Sequence, residues 1–281
     1  MDLKIYFYCK KAFLGFCLLL LPSFLFSQEF KVVGYLSHYY FDLSDQIDFE
    51  KLTHLNIAFA NPDMAGNLNL TSQEIQPIVQ KAHLENVKVC ISVAGGALLP
   101  EWWEAWKHLI QASNRSAFIH KLIQYIQTNN LQGIDVDLEW SHVNDDYSGF
   151  LLELRDSIDQ YDLLLTAALP GTYRYPQISD EALAAYDWIN MMAYDLTGPW
   201  NPNDVGPHSP YYFAENAINY WMSQGVESER LTLGVPFYGW DFTDLNNIHS
   251  VSYREMVELN PDNSELDQVG AIYYNGKPTI K

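Results

Sequence analysis

The sequence has 281 residues, 48% of them hydrophobic, enough for one core of α/β-barrel size. Its 35 acidic residues outnumber 16 basic ones, a formal net charge of −19, so the surface repels nucleic acid and anionic lipid. No Pro/Gly/Ser-rich linker, low-complexity run or charge block marks an internal domain boundary.

Residues 1–27 read as a secretory signal peptide. Lys4, Lys10 and Lys11 precede an apolar run from Ala12 to Phe26, and Ser27-Gln28 follows as the cleavage point. At about 15 residues that run is short for a membrane span of roughly 20. The expectation is therefore an extracellular protein whose mature domain covers residues 28–281, with no membrane contact after cleavage. That mature chain carries 13 basic and 34 acidic residues, a net of −21. Cys9 and Cys17 fall in the leader. Cys90 is then the one remaining thiol; among Val87, Val89 and Ile91 it reads as core filler, and the core must hold the fold without a disulfide. A monomer is expected.

Strands are expected at Phe30–Leu36, Thr53–Ala60, Val87–Val93, Gly133–Glu139, Leu163–Leu169, Trp188–Tyr194 and Leu231–Phe237. Helical patterns alternate with them at Thr71–Glu85, Arg115–Thr128, Asp145–Gln160 and Ala214–Gln224, and Thr71 with Glu74 has capping-box spacing. Alternation of this kind implies parallel strands in an α/β fold, a (β/α)8 TIM barrel of which seven strands are evident. After Phe237 come a loop, a helix around Ser252–Leu259 and a short strand at Val269–Tyr274.

The chemistry concentrates in Gly133-Ile134-Asp135-Val136-Asp137-Leu138-Glu139-Trp140. Residues two apart on a strand share a face, so Asp135, Asp137 and Glu139 point one way and Ile134, Val136 and Leu138 the other. In a barrel the acids line the interior and rise to the C-terminal mouth, where active sites are built. Buried carboxylates cost several kcal/mol unless paired, protonated or solvated, so a chain keeps three chiefly where function uses them. A solvated edge strand and a divalent-metal site are the other readings. The eight histidines show no i, i+4 pairing and no Cys partner, so neither metal nor cofactor is expected. Spaced by roughly 6.5 Å along the strand, the acids share protons, and one can stay protonated as a general acid. Glu139, outermost and longest, is the candidate.

These residues resemble the D-G-x-D-x-D-x-E signature of glycoside hydrolase family 18, the chitinases and related endo-β-N-acetylglucosaminidases. The match falls at Gly133, Asp135, Asp137 and Glu139, with Gln132 at the first Asp position. Met192-Ala193-Tyr194-Asp195 is similar to the family's M-x-Y-D and runs on through Trp200 to His208-Ser209-Pro210. Gly234-Val235-Pro236-Phe237-Tyr238-Gly239 is a third match, with Trp240 where many members carry Arg. Val33-Gly34-Tyr35, Ala58-Phe59-Ala60 and Ser92-Val93-Ala94-Gly95-Gly96 are weaker ones, the last with an extra residue. All run in family order from about residue 30 to 240.

The resemblance implies a substrate-assisted retaining hydrolysis of β-1,4-linked N-acetylglucosamine in chitin or chito-oligosaccharides. It assigns proton transfer to Glu139, orientation of the 2-acetamido group to Asp137, a shared proton to Asp135, and a hydroxyl on the acetamido oxygen to Tyr194. Asp195 contacts the sugar from the facing wall. Tyr35, Phe59, Gly96, Trp140, Met192, Trp200 and Tyr238 complete the implied substrate site. Trp102, Trp103 and Trp240 are further aromatics expected at strand ends or βα loops, and Trp106 on a helix. Members also carry a Trp-bearing eighth strand. Val269–Tyr274 has no Trp and fits a small α+β insertion after strand seven, so the barrel is expected to be C-terminally incomplete. Cleavage of N-glycan cores and non-catalytic glycan binding are the alternative functions.

Overall fold

A computed structural model of the chain describes residues 30–262, 266 and 268–274. The expected signal peptide lies outside the described residues. Seven strands form one parallel sheet in sequence order: β1 (Val33–Ser37), β2 (His54–Ala60), β3 (Lys88–Ala94), β4 (Gly133–Asp137), β5 (Leu164–Pro170), β6 (Trp188–Met192) and β7 (Leu231–Leu233). The sheet curls as an incomplete (β/α)8 barrel, and β1 and β7 do not pair with each other.

Helices α1 (Ser72–Leu84), α2 (Pro100–Leu109), α3 (Arg115–Thr128), α4 (Tyr147–Ile158), α5 (Asp180–Ala184) and α6 (Tyr211–Ser223) fall between the strands. Their apolar faces follow helical spacing. Phe118, Ile119, Leu122 and Ile126 of α3 and Tyr147, Phe150, Leu151, Leu154 and Ile158 of α4 are buried, as are Ile134, Val136 and Leu138. Trp106 of α2 joins that core edge-on to Phe118 at 5.4 Å and Phe150 at 6.1 Å, its indole N–H donating to Asn61 at 3.0 Å. The Thr71–Glu74 pair opens α1 as expected: the Glu74 carboxylate accepts from the Thr71 backbone N–H at 2.7 Å and its hydroxyl at 2.6 Å. Cys90 is fully buried, and burial pushes its thiol far above the usual range, so it packs as an inert apolar group.

Among the boundaries that differ from expectation, three have clear local reasons. Strand β7 stops at Leu233 because Pro236 has no N–H for the ladder, and Val235 and Phe237 turn outward. Strand β6 stops at Met192, where Ala193 N–H bonds back to Met191 carbonyl and Asp195 takes left-handed φ. Pro210 caps α6 three residues earlier than its periodicity suggested.

After β7 a second, antiparallel sheet is built from β8 (Tyr238–Asp241), β9 (His249–Ser252), β10 (Gln268–Val269) and β11 (Ile272–Tyr274), in the order β10-β11-β8-β9. The expected Val269–Tyr274 strand is in fact the β10–β11 hairpin, turning at Gly270 with φ +60°. Helix α7 (Tyr253–Leu259) realises the helix expected at Ser252–Leu259. No helix among the described residues is long and apolar enough to cross a membrane.

Candidate active site

Strand β4 turns its two aspartates into the barrel, and the chain continues extended through Glu139 (φ −123°, ψ 162°). The three carboxylates are graded outward: Asp135 is 0% exposed, Asp137 4% and Glu139 8%. Each therefore meets a different environment.

Asp135 is saturated with donors. Its Oδ1 accepts from Thr166 Oγ1 at 2.6 Å and Asn190 Nδ2 at 3.1 Å, and its Oδ2 from Ser92 Oγ at 2.7 Å and the Tyr35 hydroxyl at 3.0 Å. Asn190 is held amide-forward because Thr232 Oγ1 and Trp188 Nε1 both donate to its carbonyl oxygen. Burial raises the Asp135 carboxyl above its usual range, and these four bonds offset that only in part. Five strands thus fix one carboxylate: β1, β3, β5 and β6 directly, and β7 through Thr232.

Asp137 has no such support. Its Oδ1 is buried without a hydrogen-bond partner among the described residues, and burial, then the charges of Glu139 and Asp135, hold its carboxyl well above the usual range. A buried, unpaired carboxyl accepts a proton or a donor readily. Glu139, one step further out, is pushed up to about 7 by burial and then by Asp195. Room for its side chain comes from Gly96, where any Cβ would stand 2.6 Å from Glu139 Oε1.

That shift has a stability consequence. The folded-state value lies above the ordinary 4.5, so the favourable contribution is complete below about pH 4.5 and is lost as pH rises through 7. The displacement corresponds to about 3 kcal/mol. Glu139→Gln is accordingly expected to gain stability relative to the parent between pH 4 and pH 8. Thermal unfolding at both pH values checks this; an equal Tm difference at each would contradict it.

Among the described residues, three of the six non-glycine positions with positive φ stand at this mouth: Ala94 (79°), Trp140 (55°) and Asp195 (61°). Each costs about 1–2 kcal/mol, and the surrounding bonds hold them there. Gly95 N–H donates to Asp137 carbonyl at 2.9 Å, and Trp140 N–H donates to the Tyr175 hydroxyl at 2.9 Å.

Tyr194 faces the acids, and among the described residues its hydroxyl has no hydrogen-bond partner. Burial, then the charge of Asp137, pushes the phenol above its usual range, so it stays a neutral donor. Next to it, Asp195 Oδ1 accepts from Tyr238 OH at 2.7 Å and Trp240 Nε1 at 3.0 Å, with His208 Nδ1 at 3.1 Å. Trp240 also meets Trp200 edge-on at 5.6 Å. Trp140 and Trp200 expose their rings to solvent, Met192 is half-buried at the end of β6, and Gly95 packs directly on the Phe59 ring.

The sequence-derived candidates Tyr35, Gly96, Asp135, Asp137, Glu139, Tyr194, Asp195 and Tyr238 meet around one barrel mouth. Two aromatics do not lie where expected: Trp102 and Trp103 sit within α2 because Pro100 starts that helix, and Trp103 packs edge-on against His142 at 5.7 Å. Sequence reasoning missed Thr166, Asn190 and Thr232, whose signal was a polar side chain alternating inward on an apolar strand. It also missed Tyr173 and Tyr175, which line a cavity of about 570 Å³ beside Trp140 with Asn144, Asp145 and Gln177. Gln132 lies away from the acids: its side chain bonds Val89 N–H, His83 and Asn130 carbonyl. Among the described residues no group of three or more His, Cys, Asp or Glu side chains converges to hold a metal ion.

The model of Glycosyl hydrolases family 18 matches residues 31–278, a span that includes all seven strands of the parallel sheet and the second sheet. The chain belongs to this family. Among solved structures it is similar to the family 18 chitinase ChiB of Flavobacterium johnsoniae, 46% identical, with TM-score 0.86 over 89% of this chain and 81% of that one. A mutant class V chitinase of Nicotiana tobaccum in complex with NAG4 is 26% identical, with TM-score 0.71 over 82% and 79%. A chitinase-like effector of Moniliophthora roreri is 27% identical over 232 residues, 70% of this chain and 55% of that protein. The chain spans 10% to 59% of the lengths of several curated relatives it matches.

Proposed function

We propose that this family 18 chain hydrolyses β-1,4-linked N-acetylglucosamine polymers, with Glu139 as the acid and the substrate's own acetamido group as the nucleophile. The observation that carries this reading is the graded column of acids, in which the outermost keeps its proton to about pH 7. Glu139 gives its proton to the glycosidic oxygen as the C1–O bond breaks. The acetamido oxygen bonds to C1, forming an oxazolinium ion, while Asp137 accepts the acetamido N–H and balances the positive charge. Tyr194 donates to the acetamido oxygen. Water, deprotonated by Glu139, then opens the ring and restores the β-anomer. Asp135 shares a proton with Asp137 and so lets Asp137 carry the charge that faces the oxazolinium ion.

Exposed rings at Trp140 and Trp200 suit the flat C–H faces of sugars. Export by the N-terminal segment is part of the same proposal, since chitin lies outside the cell. The similarity to a chitinase-like effector favours a second reading, glycan binding without turnover; retention of Glu139 weighs against it.

The test is to incubate the full chain with an N-acetylglucosamine tetramer and, separately, a high-mannose glycoprotein. Release of shorter chito-oligomers is the expected result. Trimming of the glycoprotein alone would replace chitin with the N-glycan core as substrate, and binding of the tetramer without cleavage would leave the second reading.

A further inference from the structure

His208 is fully buried, in the loop between β6 and α6, and touches Asp195 twice with one ring atom. Its Nε2 lies 3.0 Å from the Tyr238 carbonyl, which only accepts, so Nε2 carries a hydrogen. Its Nδ1 lies 3.2 Å from the Asp195 backbone N–H and 3.1 Å from Asp195 Oδ1. One nitrogen cannot serve both. With the ring hydrogen on Nε2, Nδ1 accepts the Asp195 N–H.

We propose that His208 is a positioning residue for Asp195, its Nδ1 accepting the Asp195 backbone N–H while its Nε2 donates to the Tyr238 carbonyl. The inference rests on the hydrolase reading above, because Asp195 is the charge that faces Glu139 across the mouth. The groups around the pair are Tyr238 and Trp240 of β8, which donate to Oδ1, with Tyr194 and Glu139 beyond. Asp195 sits at left-handed φ +61°, so its backbone needs the outside support that the neutral ring supplies. Leu196 N–H donates to the His208 carbonyl at 2.9 Å, so loop and side chain are tied together.

Two readouts on the full chain test this. The first is NMR of the histidine ring nitrogens and the Asp195 amide. A coupling across the hydrogen bond from the Asp195 amide to His208 Nδ1 is expected, with Nε2 carrying the ring hydrogen. An Asp195 amide with no coupling to the ring, or a bare Nε2, would overturn the proposal whether or not the chain turns over substrate.

The second is the pH profile of kcat/KM. His208→Phe fills the site without polar contacts, and its alkaline limb is expected to move down by about half a pH unit as Asp195 loses its fixed place beside Glu139. His208→Asn, keeping a polar group near the Nδ1 position, should recover part of that shift. A merely structural histidine would lower Tm and the yield of active protein and leave the limb unmoved, and that outcome would also overturn the proposal. No turnover by the parent defeats the hydrolase reading, and the amide readout then decides the clamp alone.

Discussion

Glu139→Gln is expected to lower kcat on a chito-oligosaccharide by about 10³-fold, some 4 kcal/mol of transition-state stabilisation, with affinity for the uncleaved oligomer kept within about threefold. The reason is specific to this carboxyl. It is the outermost of the three, 8% exposed, and still protonated near pH 7, so it alone can meet a glycosidic oxygen entering from the mouth with a proton to give. Glutamine keeps the shape and the room left by Gly96 but has no transferable proton. Single-turnover rates and tetramer affinity by calorimetry check the two halves separately. A kcat within tenfold of the parent would remove Glu139 from the role of acid. In the parent, the same proton sets the alkaline limb of the rate near pH 7, since activity falls as Glu139 ionises.

Asp137→Ala should come second, at about 10²-fold to 10³-fold in kcat. Asp137 is the middle acid, with an unpartnered Oδ1 and two like charges beside it. Bound substrate relieves that situation by offering an acetamido N–H, and the developing positive charge relieves it further. Removing the side chain leaves the acetamido group free to rotate and the developing positive charge without its counter-charge. A kcat lowered this far with tetramer affinity and Tm close to the parent's separates the effect from simple misfolding. A kcat within tenfold of the parent would contradict the assignment of Asp137 to the acetamido group.

The barrel was legible in the sequence because its strands are short apolar runs at regular spacing, and because β4 places acids at a strict period of two. Helix α6 and strand β7 were misjudged at their ends by Pro210 and Pro236, whose effects override the periodicity around them. The four-stranded sheet was harder. Strands β8 and β9 are four residues each, one of them polar, and only the alternation of Tyr238 and Trp240 toward Asp195 betrays them.

Within the site, the acid column could be read from one strand alone, since every member lies on β4 or just after it. Of the donors that fix Asp135, Tyr35 could be read as well, but the other three could not. Ser92, Thr166 and Asn190 are single polar residues on three separate strands, and only the curl of the sheet brings them within 2.6–3.1 Å of one carboxylate. The Asp195 cluster is the same case at longer range. His208 and Tyr238 stand 13 and 43 residues away along the chain, and no local pattern links them to Asp195.

The central claim is that Glu139 gives its proton while the substrate's acetamido group attacks from the opposite side of the sugar. In the tetramer digest, proton NMR within the first minutes, before mutarotation, distinguishes the anomer formed. The expected product is the β-anomer, through two inversions at C1. The α-anomer as first product would require water to attack directly, and would contradict the assignment of Asp137 and Tyr194 to the acetamido group.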